Sequence, residues 1–174
     1  RWRIPPIIED LKRKAREAGL WNLFLPESEL GAGYTNLEYA PLCEVMGRVG
    51  FASEVFNCAA PDTGNMEVLV RYGSQAQKEK YLPGIAAGQL RIQSMAVTEP
   101  TTGTDTTKIK TTAVKKDGRY VVNGQKVWIS RVQHSDLMIL LARTTPLAEV
   151  KKKSEGMSIF LVDLHEAVGK GLTV

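Results

Sequence analysis

The stretch Met95-Ala96-Val97-Thr98-Glu99-Pro100-Thr101-Thr102-Gly103-Thr104-Asp105, taken with Lys126-Val127-Trp128-Ile129-Ser130, decides how this chain is read. The first part begins as a strand and runs into a turn rich in hydroxyls, with one glycine at Gly103. Such a loop can present backbone N–H groups and hydroxyls to an oxygen-rich ligand. It is not a P-loop, since no Gly-Lys-Ser/Thr follows, and not a dinucleotide fingerprint, since the three glycines are missing. In the second part, Trp128 stands between Val127 and Ile129 on a strand predicted over residues 125–130. A tryptophan so placed is usually core. Ser130 lies two residues on, hence on the same sheet face, and makes an aromatic surface beside a hydroxyl donor. On residue chemistry alone, an ordinary loop and a core tryptophan stay open as the plain alternatives.

Strands surround these two segments. Residues 91–97, 109–115, 119–122, 125–130, 137–142 and 157–162 are short and β-branched or alternating, which predicts strands. Asp117-Gly118 and Asn123-Gly124 are tight-turn dipeptides, so the pattern predicts a meander of strand, turn, strand, turn, strand. Residues 148–155 form a charged loop before the last full strand.

Before residue 90 the pattern is helical. Pro5 and Pro6 can open a helix with Ile7, Ile8, Leu11, Ala15 and Ala18 on one face and Lys12 at its rim, stopped by Gly19. Residues 20–25 are mostly apolar and close at Pro26. Thr35 with Glu38 has capping-box spacing for a helix carrying Leu37, Ala40, Val45 and Met46, in which Pro41 predicts a late start or a kink. Residues 65–72 form a further helix ended by Gly73, and Ser74 caps the next, which Pro83-Gly84 breaks. The reading is therefore α+β: an N-terminal helical domain, 1–90, then an antiparallel β-barrel-like domain, 91–174, left incomplete. The chain begins at Arg1 and ends at Val174 in what reads as the start of a strand, so both ends are expected to be cut.

Composition narrows the function classes. With 43% hydrophobic residues and a net charge of +4, the chain is expected to fold rather than stay disordered. No apolar run approaches the ~20 residues a membrane span needs, and no signal segment opens the chain. His134 and His165 are isolated, so no metal site is expected. Cys43 and Cys58 each lie in an apolar stretch; buried free thiols in a reducing compartment are the simpler reading, with one disulfide left open. The basic clusters at residues 12–16 and 151–153 read as solvated surface, or as attraction to an anionic partner such as coenzyme A phosphates or nucleic acid.

An indole beside a hydroxyl suits a flavin ring, which needs apolar cover and donors for its N5 and carbonyl oxygens. Taken together, the two segments resemble a family. Met95-Ala96-Val97-Thr98-Glu99-Pro100 with Gly103-Thr104-Asp105 resembles the acyl-CoA dehydrogenase signature, and Asn123-Gly124-Gln125-Lys126-Val127-Trp128-Ile129-Ser130 resembles the flavin strand that follows it. Tyr72-Gly73-Ser74, Gln77-Lys78 and Tyr81-Leu82-Pro83 resemble the helix pair before that signature, and Leu25-Pro26-Glu27 with Gly31 the early loop. The turn Thr101-Thr102-Gly103-Thr104 departs from the family's Gly-Ala-Gly-Ser, and Arg131 stands where a small polar residue is common.

The resemblance implies an FAD-dependent α,β-dehydrogenation of acyl-CoA thioesters. Met95, Val97 and Thr98 would meet the flavin ring, Trp128 would pack on it and Ser130 would donate to its N5 or O4 edge. Gly103 and Thr104 would lie near the flavin pyrophosphate, with Thr104 also near the acyl-CoA substrate. The resemblance puts the catalytic base in a C-terminal helical domain beyond this chain, so no catalytic residue is assigned and the chain alone is expected to be inactive. Glu99 reads as structural. An electron-transfer flavoprotein as partner, a homodimer or homotetramer, and a cytoplasmic or mitochondrial-matrix location are further implications. An oxidase on the same fold, and a nucleic-acid-binding relative using the basic surface, are the alternatives.

Overall fold

A computed structural model describes residues 5–25 and 29–174. Pro26 and Glu27 of the early loop lie outside the described residues. The chain divides into two compact units, Arg1–Arg91 and Ile92–Val174. The first is helical and the second is built on a sheet.

The helical unit contains α1 (Pro6–Glu17), α2 (Asn36–Gly47), α3 (Ala52–Val55), α4 (Asp62–Tyr72) and α5 (Gln75–Ala86). Pro5 is the extended residue before α1, and Gly19, at φ +69°, lies just past its end. The buried stripe of α1 is Ile8, Lys12 and Ala15. Ile7 and Ala18, expected on that face, are exposed instead. Lys12 replaces them because its ammonium meets Glu54 at 2.7 Å, which lets its alkyl stem lie inside. Ile8, Ala15 and Val55 form the centre of a cluster joined by Leu11, Trp21 and Phe56. Trp21 Nε1 donates to the Ala86 carbonyl at 2.6 Å, tying the apolar segment after α1 to the end of α5.

Two caps predicted from sequence form. The Thr35 hydroxyl accepts from the Glu38 amide while the Glu38 carboxylate accepts from the Thr35 amide, and Ser74 and Gln77 repeat the arrangement for α5. The break expected at Pro83-Gly84 does not form, and α2 starts at Asn36, ahead of Pro41, not late. Helix α2 runs through Pro41 and α5 through Pro83. In α5, burial of Leu82 and Ile85 on either side of Pro83-Gly84 favours the helix over the local breaker. Of the apolar residues that α2 carries as expected, Met46 is buried, while Leu37 and Val45 face solvent.

The second unit contains β1 (Ser94–Ala96), β2 (Thr112–Lys116), β3 (Arg119–Asn123), β4 (Leu137–Arg143), β5 (Met157–Asp163) and the short α6 (Leu164–Ala167). Strand β4 is central. Its near-continuous apolar run is buried on both faces, as a central strand requires. It pairs antiparallel with β5 along its whole length, from Leu137 opposite Asp163 to Arg143 opposite Met157. Its other edge is shared by β1, parallel with Ala96 opposite Leu140, and by the start of β2, parallel with Thr112 opposite Arg143.

The sheet is thus mixed, not the antiparallel barrel that the alternating strands predicted. The first turn forms as expected: Asp117 (φ 50°) and Gly118 (φ 78°) take the left-handed pair that joins β2 to β3. The second does not, because residues 125–130 form no strand. Gly124 lies so close to Thr111 that an added Cβ would overlap the Thr111 hydroxyl and stand 2.7 Å from its Cα. The chain therefore leaves β3 across the foot of β2 instead of turning back beside it. It returns to the sheet only at β4; the connection from β1 to β4 runs over residues 97–136, long enough for the two strands to lie parallel.

Candidate functional site

The two segments singled out in the sequence lie side by side. Ser94 Oγ donates to the Ser130 carbonyl at 3.0 Å, the Val127 amide donates to the Thr98 carbonyl at 3.0 Å, and Lys126 Nζ donates to the Val97 carbonyl at 3.0 Å. Residues 94–98 and 126–130 are therefore bonded at three points, although the second is not a strand.

Glu99 anchors this junction. Its carboxylate accepts from the Lys110 amide (2.6 Å), the Thr111 amide (2.9 Å), the Thr111 hydroxyl (2.6 Å) and Lys126 Nζ (2.9 Å). Burial would raise the carboxyl pKa; the Thr111 hydroxyl, the two amides and the Lys126 ammonium outweigh it and hold the group at about 2, against an ordinary 4.5. A carboxylate so engaged is a poor proton acceptor. The geometry makes Glu99 a structural hub. The following turn is closed on itself by Glu99 N to Thr102 O at 2.9 Å and Thr102 N to Glu99 O at 3.1 Å.

The departures from the family turn sort themselves here. Thr102 is buried and its hydroxyl donates to the Lys108 carbonyl, so this side chain does not crowd the outer surface. Thr101, Gly103 and Thr104 are exposed. Gly103 has no left-handed φ, and a Cβ built there meets nothing within 4 Å, so the fold itself does not require glycine at this position. Arg131 adopts φ 57° and opens the short 3₁₀ turn Val132–His134.

Trp128 is the largest departure from expectation. It is 90% exposed and sits at φ 59°, neither core nor on a strand. The left-handed region costs a non-glycine residue on the order of 1 kcal/mol. An indole left in water forgoes the burial that normally favours this residue. Trp128 and Ser130 do not share a sheet face; both are exposed side chains at the mouth of a groove.

The groove has a volume of about 1080 Å³. Its floor is one face of the sheet, with Ala96, Met138, Leu140 and Val162, all part of one apolar cluster. Tyr120 of β3 reaches Phe160 of β5 edge-on at 5.0 Å between ring centres, so the hairpin curls over that face and forms one side. Ala167 and residues 170–174 also line it. Of the residues named from sequence, Trp128 and Ser130 line this groove, whereas Met95, Val97, Thr98, Gly103 and Thr104 do not. By strand alternation Met95 points to the sheet face opposite Ala96, where it is 39% exposed. The roles of Lys126 as the tie and of Tyr120 as a wall were not foreseen. Both depend on contacts between residues far apart in sequence, and the only local signal was an acidic residue, Glu99, within the first motif and a basic one, Lys126, opening the second.

The basic cluster at residues 12–16 is largely engaged, whereas Lys151, Lys152 and Lys153 are exposed. Lys12 pairs with Glu54, Arg13 with Glu17 at 2.9 Å, and Arg16 stacks on Trp21 at 4.5 Å. Among the described residues there is no cluster of metal-ligating side chains, and no helix is long and apolar enough to cross a membrane.

Known proteins agree with this architecture. The acyl-CoA dehydrogenase N-terminal domain profile matches residues 2–89, and the acyl-CoA dehydrogenase middle domain profile matches residues 94–174. The chain belongs to the acyl-CoA dehydrogenase family. It is 45% identical over 182 aligned residues to acyl-CoA dehydrogenase family member 10 of Mus musculus, covering 100% of this chain and 16% of that protein. It is similar to a solved structure from Mycobacterium abscessus assigned as an acyl-CoA dehydrogenase: 47% identity, TM-score 0.86, covering 94% of this chain and 40% of that one. The FAD complex of PigA, at 22% identity and TM-score 0.70, covers 94% of this chain and 49% of that one and shares the fold. The chain thus spans well under two thirds of the length of each of these proteins.

Proposed function

We propose that residues 95–104 and 126–130 form one wall of an FAD site in an acyl-CoA dehydrogenase of which this chain supplies the helical unit and part of the β domain. The observation that carries the reading is the bonded junction of residues 94–98 with 126–130, which leaves Trp128 and Ser130 exposed at its edge. The residues fit a flavin. An indole held in water in a strained conformation is explained by a flat ring that covers it when bound. Ser130 supplies a hydroxyl for the ring's N5 or O4 edge. Backbone and side-chain groups of Met95, Val97 and Thr98 would complete the contact to the ring. An open Gly103 beside Thr104 leaves room for a pyrophosphate and for the acyl-CoA substrate at Thr104.

When bound, the flavin supplies the two-electron acceptor for hydride from the substrate β carbon. The chain's own part is to position and to exclude water. Glu99, held ionised by its four donors, keeps Lys126 and so fixes where residues 126–130 lie. The base for the α proton would come from a domain that follows these two, so the chain alone would not turn over. An electron-transfer flavoprotein as acceptor and a homodimer or homotetramer belong to the same reading.

The test is to express the chain extended to the length of its relatives. Bound yellow flavin that bleaches on anaerobic addition of acyl-CoA is the expected result. A colourless protein, or a flavin that no acyl-CoA bleaches, would overturn the reading. Peroxide formed on turnover in air would move the assignment to an oxidase.

A further inference from the structure

Two kinds of chemically active group lie outside the candidate site. Cys43 and Cys58 are free thiols, and Cys43 is exposed instead of buried as expected. The other is a buried cation at the end of β4. Arg143 is 5% exposed and lies opposite Thr112 of β2 and Met157 of β5. Among the described residues it has no carboxylate partner, and its Nε has no hydrogen-bond partner at all. Three main-chain carbonyls meet its guanidinium instead. Nη2 donates to Thr107 at 2.5 Å and to Lys153 at 2.9 Å, and Nη1 donates to Glu155 at 3.1 Å. Thr107 lies in the 3₁₀ turn Thr106–Lys108, a few residues past Gly103 and Thr104. Lys153 and Glu155 lie in the exposed loop between β4 and β5. One planar group therefore joins two loops that are far apart in sequence.

A buried guanidinium held by neutral carbonyls alone, with one N–H unpaired, is a poor source of stability. What it supplies is geometry, because its nitrogens lie in one rigid plane and fix the spacing of their acceptors. The same stretch is braced from within. The Thr107 amide donates to the Asp105 carboxylate at 3.2 Å, and the Thr102 hydroxyl to the Lys108 carbonyl at 3.3 Å. Glu99 holds the far end through the amides of Lys110 and Thr111, and the Arg143 amide donates to the Thr111 carbonyl at 2.8 Å. Thr104 is exposed and makes no side-chain hydrogen bond among the described residues. Its position is inherited from these anchors.

We infer that Arg143 is a positioning residue for acyl-CoA binding: by tying Thr107 to residues 153 and 155 it sets where Gly103 and Thr104 stand. The inference rests on the proposed flavin site and adds to it the group that holds the turn facing the substrate. Arg143 is buried, so it acts through the turn. A lysine at 143 would keep the charge but replace two nitrogens in one plane by one, and so meet the carbonyls with a different spacing.

The test uses the chain extended to the length of its relatives and loaded with FAD, as wild type, Arg143→Lys and Arg143→Met. Hydrogen–deuterium exchange at residues 104–110 and 150–156 should quicken by roughly tenfold in Arg143→Met and by less in Arg143→Lys. Residues 94–98 and 126–130 should exchange as in the wild type. The KM for acyl-CoA should rise about tenfold in Arg143→Met, and by less in Arg143→Lys, with kcat within about twofold. Unchanged exchange in the two loops would overturn the clamp. Faster exchange spread evenly over residues 92–174 would make Arg143 a general stabiliser and overturn it too. Faster exchange in the loops with an unchanged KM, or with kcat lost and KM kept, would overturn the positioning role. If Arg143→Met does not fold by circular dichroism, Arg143→Lys decides both measurements. A wild-type chain that holds no flavin would overturn the flavin reading, and with it the role in substrate binding, while exchange still decides the clamp.

Discussion

The turn at Glu99 and the loop at Trp128 adjoin the same junction and are built in opposite ways. Glu99 is 5% exposed and its carboxylate has four donors, all from the protein. Trp128 is 90% exposed and strained. The first region is determined by its own contacts. The second carries exposed apolar surface and backbone strain that its own contacts do not repay, which is the pattern expected where a ligand completes the structure. Under the proposed flavin site, the contrast separates residues that would fix the wall from residues that would face the ligand, and it predicts that the two kinds respond differently to substitution.

The largest effect is expected at Glu99. Glu99→Ala leaves Lys126, whose side chain is 9% exposed, without its carboxylate. Breaking a buried pair in this way costs roughly 3–5 kcal/mol. Urea unfolding of unit two should show that loss, and Lys126→Met in the same chain should recover part of it. A loss below about 1 kcal/mol would make Glu99 no more than a surface-like contact.

Acid should expose the same hub. The folded carboxyl titrates at about 2 and its ordinary value is 4.5, so the group's contribution is fully present above 4.5 and is lost as pH falls toward 2. The shift corresponds to on the order of 3 kcal/mol. Stability measured against pH should fall through that window in the wild type, and the fall should be shallower in Glu99→Gln.

Gly124→Ala tests the crossing that prevents the third strand. The new Cβ would overlap the Thr111 hydroxyl and stand 2.7 Å from the Thr111 Cα, so the backbone must shift. A loss of about 1–3 kcal/mol is expected in thermal or denaturant unfolding. Gly103→Ala is the matched control: its Cβ meets nothing within 4 Å, and stability should stay within about 0.5 kcal/mol.

The smallest effect on stability is expected at Trp128. Trp128→Ala removes a ring that is 90% exposed, so unfolding free energy should change by no more than about 0.5 kcal/mol. A large loss would mean that the indole packs in the fold and would erase the contrast with Glu99.

Much of the fold was legible because it is written locally. The Thr35/Glu38 capping box, the Ser74 cap, the Asp117-Gly118 turn and the strand at residues 137–142 all act within a few residues, and all formed. What was not legible depended on distant neighbours. Pro83 read as a breaker and Pro41 as a late start or kink, yet α2 is capped at Thr35 and includes Pro41, and α5 continues through Pro83. Asn123-Gly124 read as a hairpin turn, but the close approach to Thr111 sends the chain elsewhere, and with it goes the antiparallel meander. At the candidate site, the family resemblance put the two segments together, and the hydrogen bonds join them. It could not give the left-handed turn that places Trp128 in solvent, nor the opposite-face position of Met95.

The most direct measurement is FAD titration of the chain extended to the length of its relatives, following indole emission in the wild type and in Trp128→Phe. Stoichiometric flavin binding is expected, with quenching in the wild type that is largely lost in the variant and an affinity weakened by about tenfold in Trp128→Ala. Absence of flavin binding, or the same quenching and affinity without the indole, would contradict the placement of a flavin wall at residues 95–104 and 126–130.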